Sequence, residues 1–537
     1  MKKDGEVLLH RIARYFSLDN NVLFAIVAVL AVVPLWIPEF LPLVDIPQHA
    51  AQVASLHELL SGSSFHARDL EINWFTPYLG GYLLLFLVST VLPIVLATKL
   101  VLSLAIIALP VVSGLLLRAV GGDERLKWLA IPGGYSFAVY WGFFVYLVAV
   151  PVALLLVYLT VAYERNPTAK RSLGIAAFSI VLFFCHVIAL GFGALISLTY
   201  LFAKNFRNPV RFIKCALPYA APLPLIAIWM TGIIDTEVSV RDAPFVWGTL
   251  RQKLVVLFTQ FSGLDGKAFG ISLIVVSLIG LLPVLAGYRI SRKPERWLPM
   301  LVGSLVYLMF PSYVQNTAFL FHRLAVFLVP LWLIMWEPPQ RIRPIFFFAF
   351  LGTLGLWLSV NVHRFVAFAQ ESTGFSKVLH QAEPEKRMAG MMVCNASDGF
   401  ANPVYLHFAA WYQAESRGIS DMSFAITHPS LIRYRDMKAP RIGEQIAWQP
   451  LAFAWDRDGG ASYDYFIVCA VGDVSAPIFK DRVGSVELVA HEAPWWLYRK
   501  RALTPAAATP AAGVQPRGFQ GASPMLAHRG SISSKLE

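Results

Sequence analysis

Residues 172–203 read SLGIAAFSIVLFFCHVIALGFGALISLTYLFA, and this stretch between Arg171 and Lys204 carries no formal charge. As one helix, its 32 residues would measure about 48 Å at about 1.5 Å per residue, whereas the hydrocarbon layer of a membrane is about 30 Å thick. Two short spans joined by a turn near Cys185 and His186 fit that layer. The stretch therefore predicts a hairpin of two membrane spans with His186 at its outer turn.

The composition of the whole chain indicates a polytopic membrane protein. Of the 537 residues, 57% are hydrophobic and only 15% are charged, whereas soluble domains are about half apolar and about a quarter charged. The net charge of +12 does not indicate a nucleic-acid partner, because the excess basic residues lie in short loops between apolar runs. Residues 362–501 are neutral, with 15 Lys and Arg against 15 Asp and Glu.

The basic clusters determine how the chain is expected to cross the membrane. Such clusters mark the cytoplasmic side, so an even number of crossings must separate each neighbouring pair. This rule excludes a crossing at 129–141, where Pro132-Gly133-Gly134 predicts a broken or re-entrant segment. The prediction is about eleven spans, with the N-terminus in the cytoplasm and the C-terminus outside. The predicted spans are 22–44, 77–97, 99–117, 142–163, 172–186, 187–203, 212–233, 269–288, 297–311, 323–336 and 344–361.

The predicted membrane domain, residues 21–361, contains two outer loops of interest. The first outer loop, 45–76, carries apolar residues at helical spacing in AAQVASLHELL. The outer loop 234–268 contains the amphipathic stretch VWGTLRQKLVVLFTQF, which is suited to the membrane interface.

The ends of the chain are expected to lie outside the membrane. Residues 1–20 are predicted to be a cytoplasmic segment, and 502–537, rich in Ala, Pro, Gly and Ser, a disordered tail. Residues 362–501 alternate strand-like and helix-like runs and predict a small extracytoplasmic α/β domain. Its two cysteines, Cys394 and Cys469, can pair if the domain lies in an oxidising compartment.

Polar residues gather on the outer side in this arrangement. Asp45 and His49 follow the first span, His186 lies at the hairpin turn, and His322 and Arg323 open the tenth span. Such a group suits a phosphorylated substrate, because the carboxylate can act as a general base and the guanidinium can bind phosphate through two parallel hydrogen bonds. No cluster has metal-ligand spacing, so no metal is expected.

Each of these residues also has a structural interpretation. Asp45 can cap a short helix that Ile46 and Pro47 begin. His49 can lie on a polar helix face, Arg323 can anchor a helix end among lipid headgroups, and His186 can be a buried turn residue. No Asp or Glu falls in the middle of a predicted span, which disfavours an ion-coupled transporter.

Several stretches together are similar to one known family. They are VDIPQHAAQV (44–53), GGYSFAVYWGFFVYLVAVPVALLL (133–156), FFCHV (183–187), HRLAVFLVPL (322–331), AAWYQAESRGISDMSFAITHP (409–429) and ELVAHEAPWWLYRK (487–500). This layout, over most of residues 20–500, resembles the GT-C superfamily of integral-membrane glycosyltransferases. The resemblance implies a bacterial inner-membrane enzyme that transfers a sugar from a polyprenyl-phosphate donor to an acceptor hydroxyl at the periplasmic face, in envelope glycan or polysaccharide synthesis.

The resemblance also assigns roles. It implies that Asp45 is the general base and that Arg323 binds the donor phosphate, with His49, His186 and His322 as substrate-site groups. It implies no cofactor beyond the lipid-linked sugar, and a glycan, lipid or protein as acceptor. No second acid adjoins Asp45, so Asp69 or Glu71 is the alternative base. The alternative function is a non-catalytic membrane component of a polysaccharide assembly or export system.

Overall fold

The computed structural model describes residues 18–234, 245–314, 317–340, 344–427, 429–436 and 444–501. The predicted tail at 502–537, positions 1–17 of the predicted cytoplasmic segment and positions 235–244 of the second outer loop lie outside the described residues.

The described chain is mostly helical. Its α-helices are α1 (Asn21–Leu30), α2 (Ile46–Leu60), α3 (Ser64–Asp69), α4 (Leu79–Ser89), α5 (Ile94–Ala119), α6 (Ala130–Gly133), α7 (Phe137–Trp141), α8 (Phe144–Arg165), α9 (Ala169–Cys185), α10 (Val187–Asn205), α11 (Pro209–Ala216), α12 (Leu223–Ile234), α13 (Leu250–Ser262), α14 (Phe269–Leu285), α15 (Pro294–Met309), α16 (Leu320–Ile334), α17 (Pro344–Leu379), α18 (Ala410–Ser416), α19 (Glu444–Trp448) and α20 (Ser475–Phe479). The strands are β1 (Leu70–Ile72), β2 (Arg289–Ile290), β3 (Tyr313–Val314), β4 (Thr317–Ala318), β5 (Trp336–Glu337), β6 (Arg387–Met392), β7 (Ile419–Asp421), β8 (Ile432–Tyr434), β9 (Tyr465–Cys469), β10 (Val486–Glu492) and β11 (Trp495–Lys500).

Five helices in the described ranges are long and apolar enough to cross a membrane. They are α5, α8, α10, α17 and α14 with the turn that precedes it. A sixth crossing results if α11 and α12, which are bent by 43° relative to each other, form one broken span. Helices α1, α4 and α16 are apolar but shorter. The protein therefore has a helical membrane part, and the count of eleven spans stays a prediction.

The break predicted within 172–203 is confirmed. Helix α9 ends at Cys185 and α10 begins at Val187, with His186 in extended backbone between them. The His186 side chain caps α10, because its Nδ1 accepts a hydrogen bond of 3.2 Å from the backbone N–H of Ile188. A polar cap in an otherwise uncharged stretch fixes where the hairpin turns.

The ends of four helices meet near this turn. Tyr146, in the first turn of α8, packs edge-on against the His186 ring with 5.0 Å between ring centroids. The Tyr146 hydroxyl also donates a hydrogen bond to the carbonyl of Arg323, in the first turn of α16. The beginnings of α8, α10 and α16 and the end of α9 thus lie together.

The segment predicted to be broken is also broken in the structure. Residues 129–141 contain two short helices, α6 and α7, rather than one crossing. Helix α7 ends at Gly142, whose left-handed backbone has a φ of 83°. Glycine adopts this conformation without a steric penalty, and the chain can turn directly into α8.

The first and the last predicted spans are among those that differ from the observed helices. The first was expected at 22–44, but α1 ends at Leu30 and a 3-10 turn covers Val33–Trp36. Pro34 and Pro38 lack the N–H groups that a longer helix needs. The last predicted span, 344–361, is part of the 36-residue helix α17, which runs on to Leu379. The expected domain boundary at 361 therefore falls inside a helix.

The C-terminal portion contains a five-stranded mixed sheet with the order β10-β11-β9-β6-β7. Strand β6 is parallel to β7 and β9, whereas β11 is antiparallel to β9 and β10. A disulfide joins Cys394, just after β6, to Cys469 at the end of β9. The pairing of Cys394 and Cys469, which the sequence allows but does not establish, is therefore present.

The first outer loop and the C-terminal portion share one core. The Gln48 side chain of α2 accepts a hydrogen bond of 3.0 Å from the backbone N–H of Phe424, and Gln52 accepts one of 2.7 Å from Ile432. Strand β1 of the loop pairs with β8 of the C-terminal portion. Helix α2 is buried along most of its length as a result.

Candidate active site

Helix α2 begins against the turn that follows α7. The backbone N–H of Val44 donates to the Tyr140 carbonyl at 3.2 Å, and that of Asp45 donates to the Trp141 carbonyl at 2.9 Å. A Cβ atom on Gly142 would lie only 2.8 Å from the Asp45 nitrogen. The close approach therefore requires glycine at 142, and it fixes the position of Asp45.

Asp45 occupies the cap position of α2 but does not cap it. Its side chain makes no hydrogen bond to the first turn of the helix. Instead, Nε2 of His407 lies 3.4 Å from Oδ1 of the carboxylate, and the Trp141 side chain lies beside it. The residue is only 8% exposed. Helix capping thus does not account for this carboxylate.

Burial sets the acidity of Asp45. Removal from water raises the pKa of the carboxyl well above its usual value, while the charge of Arg323 and the hydrogen bond from Trp141 act in the opposite direction. A carboxylate with a raised pKa is a stronger base than an exposed one.

Two buried histidines stand beside Asp45 in their neutral form. Burial lowers the pKa of His49 to about 3 and that of His407 to about 4. Nδ1 of His49 lies 2.8 Å from the Tyr82 hydroxyl, and both imidazoles contact the Phe424 ring edge-on. Nδ1 of His407 has no hydrogen-bond partner among the described residues. Neutral imidazoles can exchange a proton with an acid or a substrate hydroxyl without adding charge.

Arg323 supplies the positive charge of the site. Its guanidinium lies over the Phe143 ring, with 3.7 Å from Cζ to the ring centroid, a stacking that holds the group in place. The side chain makes no hydrogen bond or salt bridge with any residue that the structure describes, and its Nε is buried without a partner. It nevertheless interacts electrostatically with Asp45 and Tyr78. An unpaired guanidinium has free N–H donors for a phosphate.

His186 belongs to the same group. Its ring stacks on Tyr78 with 5.0 Å between centroids, and it interacts electrostatically with Arg323 and His49. Its Nε2 is buried and has no partner in the described part of the chain. His322 lies at the side of this group, stacked on Phe321 at 3.8 Å between centroids, and its Nδ1 is likewise unpartnered among the described atoms.

The two alternative acids are placed elsewhere. Asp69 pairs with Arg68 at 3.1 Å and with Arg387 at 3.7 Å. Glu71, in β1, faces Arg433 of β8 at 3.5 Å. In the described chain, no hydrogen bond or ion pair connects either acid with the group around Asp45.

The structure thus brings together Asp45, His49, His186 and Arg323, with His322 beside them. Sequence analysis missed His407, which comes from the C-terminal portion, and the aromatic residues that surround the charges: Trp141, Phe143, Tyr78, Tyr82 and Tyr146. A signal for His407 was present in YLHFAAWYQAESRG, where a histidine interrupts an apolar run. The described residues contain no group of three His, Cys, Asp or Glu side chains that could hold a metal ion.

In comparisons with known proteins, this chain is similar to solved structures but matches no protein family and no curated protein. Among solved structures, the chain is similar to the crystal structure of ArnT from Cupriavidus metallidurans bound to undecaprenyl phosphate. The sequence identity is 13%, the TM-score is 0.40, and the alignment covers 90% of this chain and 98% of that one. A likeness of this degree carries no argument about function, which has to rest on the geometry of the site.

Proposed function

We propose that this protein is a membrane glycosyltransferase that moves a sugar from a polyprenyl-phosphate donor to an acceptor hydroxyl, with Asp45 as general base and Arg323 as ligand of the donor phosphate. One observation carries the proposal. A buried carboxylate that does not cap its helix and a guanidinium without a partner among the described residues lie at the same end of apolar helices.

The reaction needs few groups. Asp45 takes the proton of the acceptor hydroxyl as its oxygen forms a bond to the anomeric carbon of the sugar. The bond from that carbon to the phosphate oxygen breaks, and the polyprenyl phosphate leaves with the electron pair. Arg323 binds the phosphate through parallel hydrogen bonds and stabilises the charge that develops on it. Because phosphate is a good leaving group, orienting the two substrates accounts for much of the catalysis.

The surroundings of the site favour a lipid donor. The phosphate ligand Arg323 lies in the first turn of the apolar helix α16, and His186 lies between α9 and α10. A substrate at this position can keep its polyprenyl chain among lipid tails while its phosphate reaches the guanidinium. A water-soluble sugar nucleotide has no apolar chain, so it would not require a phosphate site beside apolar helices.

The disulfide supports an outer location for the site. Disulfides persist mainly in extracytoplasmic compartments, and the portion that contains Cys394–Cys469 also contributes His407 to the site. We therefore place the reaction at the periplasmic face of a bacterial inner membrane, with the N-terminus in the cytoplasm. The acceptor is a glycan, lipid or protein hydroxyl, as part of envelope glycan synthesis.

Lipid profiling of a deletion strain tests the proposal. The strain is complemented with the wild type, Asp45→Asn, Asp69→Asn or Glu71→Gln, and the polyprenyl-phosphate sugars are measured by mass spectrometry. We expect one such sugar to accumulate in the deletion and Asp45→Asn strains only. If Asp45→Asn removes the donor as well as the wild type does, Asp45 is not the base. If no carrier-linked sugar accumulates in the deletion strain, the proposed donor class is wrong.

A further inference from the structure

A cavity of about 520 Å³ lies at the other end of the helices from Asp45. Helix α8 begins two residues after Gly142, which contacts Asp45, and its 22 residues end at Arg165 in the cavity wall. At about 1.5 Å per residue the helix is about 33 Å long, which is close to the thickness of the hydrocarbon layer. The cavity and the candidate active site are thus on opposite faces of the membrane.

The cavity is lined by three basic side chains. Arg165 comes from the end of α8, and Arg211 and Lys214 come from α11. Arg211 donates hydrogen bonds to the carbonyl and the carboxylate of Glu164 at 2.8 and 3.1 Å. Among the described residues, Arg165 donates only to a backbone carbonyl, that of Ala119. Lys214 is exposed and makes no hydrogen bond or ion pair with a described residue. Of the three basic side chains, only Arg211 is therefore paired with a carboxylate of the described chain, that of Glu164.

Helix α11 has the pattern of a helix that lies in a membrane surface. Val210 and Ile213 of α11 and Leu217, the residue that follows the helix, are 61%, 63% and 70% exposed, and their spacing places them along one side. Arg211 and Lys214 follow on the neighbouring side. An apolar stripe beside a basic stripe matches the boundary between acyl chains and phosphate groups. The 43° bend before α12 separates this helix from the crossing that follows.

We propose that this cavity binds the phosphate headgroup of an anionic phospholipid in the leaflet that faces away from the candidate active site. The charge excess selects an anion, and the volume of about 520 Å³ lies within the range of about 300–1,000 Å³ that small-molecule sites have. The exposed apolar stripe on α11 lets the acyl chains remain in the bilayer, which a free phosphate ion would not need. The site does not depend on the sugar-transfer reaction.

Native mass spectrometry of the full chain with phosphatidylglycerol and phosphatidylcholine tests the proposal. We expect the wild type to retain one phosphatidylglycerol in preference to phosphatidylcholine. The affinity should fall about 30-fold in Arg165→Gln/Lys214→Gln, since each basic residue near an anionic surface accounts for about fivefold. Lys214→Gln alone should lower it about fivefold, and this variant removes no hydrogen bond or ion pair between described residues.

The matched control is Lys170→Gln/Arg207→Gln, which removes two exposed basic side chains that do not line the cavity, one in the first turn of α9 and one in the turn before α11. It should retain phosphatidylglycerol like the wild type. Equal retention of both lipids, or equal losses in the two double variants, would overturn the proposal. So would displacement of the lipid by inorganic phosphate at the same concentration as phosphatidylglycerol, because the site would then take a free anion.

Discussion

Nε2 of His407 lies 3.4 Å from Oδ1 of Asp45, although the two residues come from opposite ends of the chain. The contact joins the C-terminal portion to the first outer loop at the carboxylate that we propose as the general base. We therefore propose His407 as a positioning residue, because its imidazole faces the carboxylate that would take the proton.

Replacing His407 by Ala should lower kcat about 100-fold and leave the KM for the donor nearly unchanged. A misplaced base slows the chemical step, whereas the phosphate ligand Arg323 is not affected. The rates are measured with the purified protein and the carrier-linked sugar identified by lipid profiling. His491→Ala removes an exposed histidine of the same portion and should have wild-type rates. An increase in KM with constant kcat would instead assign His407 to donor binding.

Substitutions of Arg323 should separate charge from geometry. Arg323→Lys keeps the positive charge but loses the planar pair of donors, so the KM for the donor should rise at least tenfold. Arg323→Gln also loses the charge, so it should raise this KM further. Undecaprenyl phosphate is a suitable competitive probe in both cases. An unchanged affinity for this lipid in Arg323→Gln would remove Arg323 from the phosphate site.

The pH dependence of kcat should report on Asp45. Burial raises the pKa of this carboxyl, and the base must be ionised, so kcat should fall with decreasing pH at a higher pH than for an exposed aspartate. Because the charge of Arg323 lowers the pKa of Asp45, Arg323→Gln should move this acid limb to still higher pH, and Arg323→Lys should leave it in place. Identical limbs in the wild type and Arg323→Gln would show that Asp45 is not the titrating base.

The sequence was sufficient to predict which site residues lie on the same side of the membrane. The uncharged length of 172–203 required a turn, and the distribution of basic residues put His186, Asp45 and Arg323 on one side. The structure brings these three residues together. The run around His407 shows a histidine among apolar residues, but it does not show that this histidine reaches Asp45, because the contact depends on the docking of α2 against the C-terminal portion through Gln48 and Gln52. A neutral polar segment was interpreted as a separate domain, but its contacts with the first outer loop are tertiary and leave no periodic trace in the sequence.

Helix ends were less predictable for a related reason. Hydropathy does not show that Pro34 and Pro38 end the first helix early, or that α17 continues past position 361. The continuation contains charged residues such as Arg364. The buried guanidinium of Arg364 pairs with Asp265, and its Nε donates a hydrogen bond of 2.9 Å to the Gly399 carbonyl. In a hydropathy pattern such a charge indicates the end of a span, whereas in the structure the charge is buried and paired with other groups of the protein.

Gly142→Ala should impair both stability and activity. The new methyl group would lie 2.8 Å from the Asp45 nitrogen and 2.9 Å from that of Ile46, so the beginning of α2 would have to move, and the base with it. We expect a lower Tm and a loss of kcat of at least tenfold. Gly62→Ala is a matched control, since Gly62 has a φ of 85° but its Cβ would contact nothing within 4 Å. It should lower Tm less and leave kcat unchanged. Equal effects of the two variants would mean that backbone strain, and not the contact with Asp45, explains the requirement for glycine.

His49 should make the protein sensitive to acid. Burial lowers the pKa of His49 from 6.5 to about 3, so below pH 6.5 the unfolded chain binds a proton that the folded protein does not. The free energy of unfolding therefore falls as the pH decreases from about 6.5 towards 3, and one such histidine accounts for about 3 kcal/mol at pH 4.5. His49→Gln, whose amide can still reach the Tyr82 hydroxyl, should lose less stability between pH 7 and 4.5 than the wild type. Thermal melts in detergent across this range measure the difference, and His491→Gln, at an exposed position, should follow the wild type. If His49→Gln shows the same decline as the wild type, the buried imidazole is not the group whose protonation opens this part of the fold.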